Sequence, residues 1–188
     1  MKIKEVIGIL MLFLSAFSLT SCNKEEEGFS KEKIQQALFD MKGTYHGMVK
    51  VSYYHGSSIT EEQNAVARSR DSLQLSISLL PIAEITTDKS LSECLQSIGE
   101  VQVTAGYEFS QMDYGNLSFA LHPQNVIVSG GNDTSHTIKI VFSQIFGGDA
   151  TPYHNFIMFN LSPTELWFDG KEYENFKQLV YHFKGECE

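Results

Sequence analysis

The sequence predicts an all-β domain with two short helices, folded as an antiparallel β-barrel or, as the alternative, a β-sandwich. The first observation is the strict alternation of apolar and polar residues, which is cleanest at 72–79 and 101–109. The second is the number of such segments, nine or ten, separated by turns rich in glycine. The third is that only two short segments have the period of an α-helix. Many short strands with regular turns are typical of closed or double-layered antiparallel sheets.

The amino-terminal part of the domain is predicted to form a helix followed by three strands. The helix spans 29–41, where Ser30 can cap the first turn and apolar residues recur at intervals of three and four. The period then changes to two, which predicts strands at 43–53, 59–69 and 72–79.

A second helix is predicted between the third and fourth strands. Pro81 ends the third strand, and the helix follows at 91–98. Ser90 and Glu93 match a capping box, in which two side chains satisfy unpaired N–H groups of the first turn. Gly99 is placed to end this helix.

The rest of the domain is predicted to consist of strands joined by turns. Alternation or short apolar runs predict strands at 101–109, 117–121, 126–128, 138–142 and 156–161. Turns are predicted at 130–133, at 147–149 and at Asp169-Gly170, which indicates a tight hairpin. The segment 176–184 suits either a helix or a strand, and we favour a strand that closes the sheet.

The alternation also predicts which side chains face the core. A slip of one residue would turn every apolar side chain of a strand outward, so the register should be firmly set. We expect four apolar residues to be buried: Leu75, Ile77, Val103 and Tyr107. We expect their polar neighbours to be more exposed: Gln74, Ser76, Gln102 and Thr104.

The first 21 residues are predicted to be a bacterial export signal. Two lysines precede an uncharged apolar run at 6–19, which is shorter than the roughly 20 residues of a membrane-spanning helix. The run ends in Leu19-Thr20-Ser21-Cys22, which resembles the lipobox of bacterial lipoproteins. That resemblance implies that Cys22 begins the mature protein and carries a diacylglycerol thioether and an amide-linked acyl chain such as palmitate. The alternative is an ordinary signal peptide that happens to contain a cysteine.

Residues 22–28 are predicted to be a lipidated, solvated tether that leads to a single domain at 29–188. The tether is polar and contains three consecutive glutamates at 25–27. Acidic residues just after the cysteine resemble the export signal of Bacteroidota lipoproteins, which implies an outer-membrane protein facing the cell surface. The alternative is a spacer that carries no address.

The start of the first strand resembles that of the lipocalins and other calycins. Those proteins begin their barrel with Gly-x-Trp, and this chain has Gly43-Thr44-Tyr45 after a short helix. The helix inserted after 79–82 and the segment 167–171 are further features of the resemblance. With the lipobox, they resemble an uncharacterised family of exported Bacteroidota lipoproteins of lipocalin-like (calycin) architecture. The resemblance implies a calycin-type barrel and supplies no catalytic residue.

Composition argues against several classes of partner. The chain has net charge −9, and removing residues 1–21, with two lysines and one glutamate, makes the mature protein −10. An acidic chain without basic clusters argues against nucleic acid and against direct binding to anionic lipid. An oxidising compartment would allow a disulfide between Cys94 and Cys187. We favour a buried thiol at Cys94, which lies in the apolar stripe of the second helix.

The sequence carries no recognised catalytic or metal-binding motif. It contains no His-Glu-x-x-His, Gly-x-Ser-x-Gly or Cys-x-x-Cys, and its six histidines lack metal-ligand spacing. We therefore predict no catalytic residue, no metal and no cofactor. Asp71-Ser72-Leu73 matches a short O-glycosylation pattern of exported Bacteroidota proteins, which makes Ser72 a candidate site. The alternative is turn chemistry, which also favours Asp and Ser.

These features predict a non-catalytic binding module for a small apolar or amphipathic ligand or a glycan, held at a membrane through Cys22. The alternative is a structural or interaction protein that docks on a cell-envelope complex, and a hydrolase is a third candidate. A hollow barrel with a few polar groups would favour the first function, and a filled barrel with an exposed apolar patch the second. A histidine or carboxylate cluster in a cleft would favour the third.

Overall fold

The structure is a computed structural model that describes residues 29–53, 63–113, 115–131 and 135–187. The predicted signal peptide at 1–21 and the predicted tether at 22–28, with Cys22, lie outside the described residues. The same is true of 59–62 in the predicted second strand and of 132–133 in a predicted turn.

The described chain contains three α-helices and twelve β-strands, which we number in chain order. The helices are α1 (Lys31–Asp40), α2 (Leu80–Ile85) and α3 (Lys89–Ile98). The first six strands are β1 (Gly43–Tyr53), β2 (Gln63–Ser69), β3 (Leu73–Ser78), β4 (Glu100–Asp113), β5 (Asn116–Pro123) and β6 (Val126–Gly130). The last six are β7 (His136–Phe142), β8 (Gly147–Thr151), β9 (Phe156–Leu161), β10 (Pro163–Phe168), β11 (Lys171–Glu172) and β12 (Leu179–Cys187).

Eight strands form a closed antiparallel barrel, in the order β1-β2-β3-β4-β5-β8-β9-β12. Barrel strands that follow one another along the chain are neighbours in space, which is the up-and-down arrangement of a lipocalin-like barrel. The last strand closes the barrel by pairing with the first, from Tyr45 opposite Cys187 to Tyr53 opposite Leu179. The predicted barrel and the predicted closing strand are therefore confirmed, and the sandwich alternative is wrong.

The other four strands form a second antiparallel sheet, in the order β11-β10-β7-β6. Strands β6 and β7 are inserted after barrel strand β5, and β10 and β11 are inserted after barrel strand β9. The predicted hairpin at Asp169-Gly170 joins β10 to β11, and the two residues have positive φ angles of 49° and 79°. Glycine adopts this region without strain and aspartate tolerates it, so the two-residue turn is confirmed.

Different elements lie at the two ends of the barrel. Where β1 begins, α1 and the turn after it pack Ala37 and Met41 into the core, and the Tyr45 hydroxyl donates to the Met41 carbonyl at 2.8 Å. The β4–β5 and β8–β9 connections lie at this same end, which we call the α1 end. At the opposite end, the α3 end, the Tyr181 hydroxyl donates to the Ser78 carbonyl at 2.7 Å, just before α2 and α3.

Large apolar side chains occupy the barrel interior. The inward positions of its strands belong to one continuous hydrophobic core. The rings of Phe159 and Phe183 stack with their centroids 4.9 Å apart. Tyr181 is only 1% exposed, although it is among the largest side chains of the domain. The interior is therefore packed with side chains, as is usual for barrels of about eight strands.

Three of the four residues predicted to be buried are buried. The core contains Leu75, Ile77 and Val103. Their polar neighbours are half-buried or exposed, as predicted: Gln74, Ser76, Gln102 and Thr104. The prediction for Tyr107 is wrong, because this residue is half-buried. The pairing of β3 with β4 ends at Leu73 and Ala105, so Tyr107 lies on a part of β4 that pairs with β5 alone.

The helices differ from the prediction in number and in capping. Residues 80–85 form an additional helix, α2, with Pro81 in its first turn, where the missing proline N–H breaks no helical hydrogen bond. The predicted capping box at Ser90 and Glu93 is wrong. The cap of α3 is Asp88, whose side chain accepts a hydrogen bond from the Leu91 N–H at 3.0 Å.

The predicted turn at 147–149 is also wrong, because these residues form the start of β8. Gly148 lies opposite Phe159 of β9, and a Cβ atom at Gly148 would overlap the carbonyl oxygen of Met158. Glycine is therefore required here by the close approach of two strands rather than by a turn.

Candidate functional site

A groove of about 610 Å³ lies on the outer wall of the barrel, over β1, β12, β9 and β8. Alternate residues of each strand face outward, so the register of the strands brings their side chains into rows. One row contains Met48, Lys184, Met158 and Asp149. The next row contains Lys50, His182 and Asn160. We call this site the outer-wall groove.

Two glycines of β8 border the groove. Gly147 and Gly148 both line it. A Cβ atom at Gly147 would overlap the carbonyl oxygen of Phe119, just as one at Gly148 would overlap that of Met158. Neither position carries a side chain, which allows β8 to approach β5 and β9 this closely.

Ser52, His182 and Asn160 form a hydrogen-bonded chain across three neighbouring strands at the edge of the groove. The Ser52 hydroxyl lies 2.7 Å from His182 Nε2, and His182 Nδ1 lies 2.7 Å from the side-chain oxygen of Asn160. An amide oxygen accepts and cannot donate, so Nδ1 carries the proton and Nε2 accepts from the Ser52 hydroxyl. Both ring nitrogens are engaged, which fixes the orientation of the imidazole.

The environment of His182 favours the neutral imidazole. Burial lowers the pKa of His182 below its ordinary value, and the positive charge of Lys50 lowers this pKa further. Lys50 lies directly opposite His182 in the register of β1 and β12. Near neutral pH, His182 is therefore an uncharged, oriented group rather than a third cation beside the two lysines.

The hydrogen-bonded side chains Ser52, His182 and Asn160 have the connectivity of a nucleophile, a base and an orienting residue in acyl-transfer enzymes. That chemistry also needs N–H groups aimed at the developing oxyanion. Ser52 lies in the paired part of β1, opposite Val180, where backbone N–H groups lie in the plane of the sheet and serve its ladders.

The groove concentrates positive charge in an acidic protein. It contains the ammonium groups of Lys50 and Lys184 and one carboxylate, Asp149, which accepts a hydrogen bond from Ser118 at 2.6 Å. The Lys184 Nζ lies 5.6 Å from the ring centroid of Phe156, within the range of a cation–π contact. Two cations thus lie beside the apolar surface of two methionines, Met48 and Met158.

Ser72, the candidate glycosylation residue, lies in the turn between β2 and β3 and is half-buried. It lines a separate cavity of about 450 Å³, together with Arg68 and Arg70. Its backbone carbonyl accepts a hydrogen bond from the Arg70 N–H at 3.1 Å. This contact uses the backbone alone, and the glycan on Ser72 stays a prediction.

The other residues singled out from the sequence lie away from the groove. Cys94 is buried, as predicted, and no disulfide joins it to Cys187. His136 pairs through Nδ1 with Asp169 at 2.7 Å, at the hairpin of the second sheet. Among the described residues, no group of three or more His, Cys, Asp or Glu side chains could hold a metal ion. Within the same residues, no helix is long and apolar enough to cross a membrane.

Comparison of the chain with protein-family models, curated proteins and solved structures gives no significant match.

Proposed function

We propose that the protein is a lipid-anchored, non-catalytic binding module of the bacterial cell envelope that holds a small amphipathic ligand in the outer-wall groove. The observation that carries this proposal is the combination, in a groove of about 610 Å³, of two methionines with two ammonium groups and a fixed polar chain. This volume lies within the range of small-molecule sites, about 300–1,000 Å³.

The packed interior of the barrel supports an outer site rather than an inner one. The residues that face inward behind the groove are aromatic and buried: Phe119, Phe159 and Phe183. A ligand entering the interior at this level would have to displace these rings and the contacts they make. The outer face needs no such rearrangement, because its side chains already border open space.

The residues of the groove indicate the chemistry of the ligand. Met48 and Met158 are partly exposed, at 38% and 42%, and their flexible side chains can adapt to an apolar group of irregular shape. Lys50 and Lys184 favour a carboxylate, sulfonate or phosphate head. Asn160 accepts from His182 through its side-chain oxygen, which leaves the amide NH2 to donate to a ligand. A glycan with an acidic group would use the same cations.

The anchor and its location are supported by the sequence. The lipobox at 19–22 supports lipidation of Cys22, and the acidic tether supports display on the outer membrane, facing the cell surface. Several acyl chains hold a protein stably at a membrane, where one chain alone is marginal. In this account the membrane is reached through Cys22, and the groove is left for a soluble ligand.

A fluorescence titration tests the binding site. The probe is 8-anilinonaphthalene-1-sulfonate, which carries apolar rings and one negative charge, and the protein is the full mature chain made soluble by Cys22→Ser. We expect the double variant Lys50→Gln/Lys184→Gln to weaken binding of the probe by about tenfold or more, since charge-assisted contacts contribute about 1.5–3 kcal/mol each. A glucuronate oligosaccharide added as a competitor distinguishes a glycan site from an amphipathic one.

The matched control removes the same charge elsewhere. Lys89 and Lys171 are exposed residues of α3 and β11 that do not line the groove, and Lys89→Gln/Lys171→Gln should leave binding of the probe unchanged. Equal affinities of the two double variants would exclude the groove as the site.

A structural or interaction protein that docks on a cell-envelope complex is the second candidate function. The packed barrel favours this second function. Two exposed isoleucines outside the groove also favour it, because they offer apolar surface to a partner: Ile127 is 66% exposed and Ile145 is 86% exposed. A photo-crosslinker placed at Ile145 in intact cells should capture an envelope protein if docking is the function. The binding-module proposal expects no specific adduct there.

A further inference from the structure

A patch of exposed aromatic residues lies at the α1 end of the barrel. Phe39 on α1 is 72% exposed, and Tyr153 in the turn between β8 and β9 is 80% exposed. Both line a cavity of about 800 Å³, together with Met112 and Leu117 of the β4–β5 hairpin. We call this surface the α1-end patch.

Tyr153 is positioned by a glycine. Gly115 has a φ of 87°, and a Cβ atom placed there would lie 2.9 Å from the Tyr153 ring. The ring therefore lies against bare backbone, while most of its surface faces solvent. Exposed apolar side chains that border one cavity form a patch of the kind that marks protein or membrane contact sites.

The tether joins the domain at this end. Helix α1 begins at Lys31, nine residues after Cys22. Nine residues span at most about 30 Å when fully extended. A lipid on Cys22 therefore keeps the first turn of α1 within about 30 Å of a bilayer, which is comparable to the diameter of a small domain.

The charges around the patch fit a zwitterionic lipid surface. Lys33, Asp40 and Asp113 line the same cavity, so it contains one cation and two anions. This mixture gives no attraction to anionic headgroups, in agreement with the acidic composition of the chain. Tyrosine is enriched at the headgroup level of membranes, where the body of its ring is apolar and its hydroxyl is hydrated.

We propose that the α1-end patch contacts the bilayer, with Phe39 and Tyr153 at the level of the lipid headgroups. This inference rests on the proposed anchor at Cys22. The anchor makes the contact intramolecular, so even a weak interaction is populated at the resulting effective concentration. The contact directs the α3 end away from the membrane and leaves the outer-wall groove open to the solution on the side of the barrel.

Quenching of single tryptophans by brominated lipid tests this orientation. The lipidated mature protein is placed in phosphatidylcholine vesicles with or without bromine on the acyl chains. In a Trp167→Phe background, tryptophan is introduced by Phe39→Trp, by Tyr153→Trp or, as the control at the α3 end, by Ile145→Trp. All three positions are highly exposed, so the substitutions should leave the core intact. The native Trp167, in β10 of the second sheet, provides an additional control.

We expect tryptophan at 39 and at 153 to lose emission in brominated vesicles, and tryptophan at 145 and 167 to keep it. If the emission at each of the four positions is the same in brominated and unbrominated vesicles, and the protein still sediments with the vesicles, the tether holds the domain away from the bilayer. That result would overturn the inference and leave the anchor intact. Selective loss at 145 would show the opposite orientation. If the protein does not sediment with the vesicles, both the proposed anchor and the inference that rests on it are wrong.

Discussion

Replacing Ile77 with alanine is expected to lower the free energy of unfolding by about 2–5 kcal/mol. Ile77 lies in β3 opposite Val101 of β4, it is 1% exposed, and it belongs to the continuous hydrophobic core. Truncating its side chain removes buried methyl and methylene groups and leaves a void that a packed barrel closes only in part. Urea unfolding of the soluble Cys22→Ser chain, followed by circular dichroism, measures this change.

Ile127→Ala is the matched control for that experiment. Ile127 has the same side chain, but it lies in β6 of the second sheet and is 66% exposed. Its truncation should change the free energy of unfolding by no more than about 0.5 kcal/mol. A similarly small effect for Ile77 would contradict a packed interior, because a residue that borders a hollow space loses few contacts when it is shortened.

Replacing Cys22 with serine is expected to abolish lipid labelling and to release the protein from membranes. A serine hydroxyl does not form the thioether that anchors a bacterial lipoprotein, so the substituted chain would carry no acyl group. The remaining mature chain is acidic and has no basic cluster to bind a membrane surface. Incorporation of labelled palmitate and partition between membrane and soluble fractions measure the effect in cells.

Cys187→Ser provides the comparison for the anchor. Cys187 ends β12, at the opposite end of the chain from the lipobox, and its replacement should leave labelling and membrane partition unchanged. The anchor hypothesis fails if the Cys22→Ser protein still incorporates palmitate and still sediments with membranes.

The strands of the barrel were predictable because each faces apolar core on one side and a more polar surface on the other. From Leu73 to Ile77 this difference produces strict alternation, and the burial follows it. The glycines of β8 could not be interpreted in this way, because the same residue type serves a turn and a close approach of strands. Asp88 and Ser90 both precede a helical segment within three residues, and only the local backbone decides which one caps it.

The groove was not predictable, because it depends on register between strands that are distant in the sequence. Ser52 and His182 are 130 residues apart, and both are ordinary outward polar positions of their strands. The one local signal is Asn160, a polar residue inside the otherwise apolar segment Phe156–Leu161. A polar side chain in such a run indicates a partner on the neighbouring strand, but the sequence does not show that the partner is His182.

The most direct test of the account is the methyl NMR spectrum of methionine during titration with 8-anilinonaphthalene-1-sulfonate. Four methionines follow Cys22 in the mature chain: Met41, Met48, Met112 and Met158. Met48 and Met158 line the outer-wall groove, Met112 lines the α1-end cavity, and Met41 is fully buried in the core. We expect the methyl signals of Met48 and Met158 to shift progressively as the probe concentration rises. The signal of Met41 should not shift. A shift of the Met41 or Met112 signal, with those of Met48 and Met158 unchanged, would contradict binding in the groove.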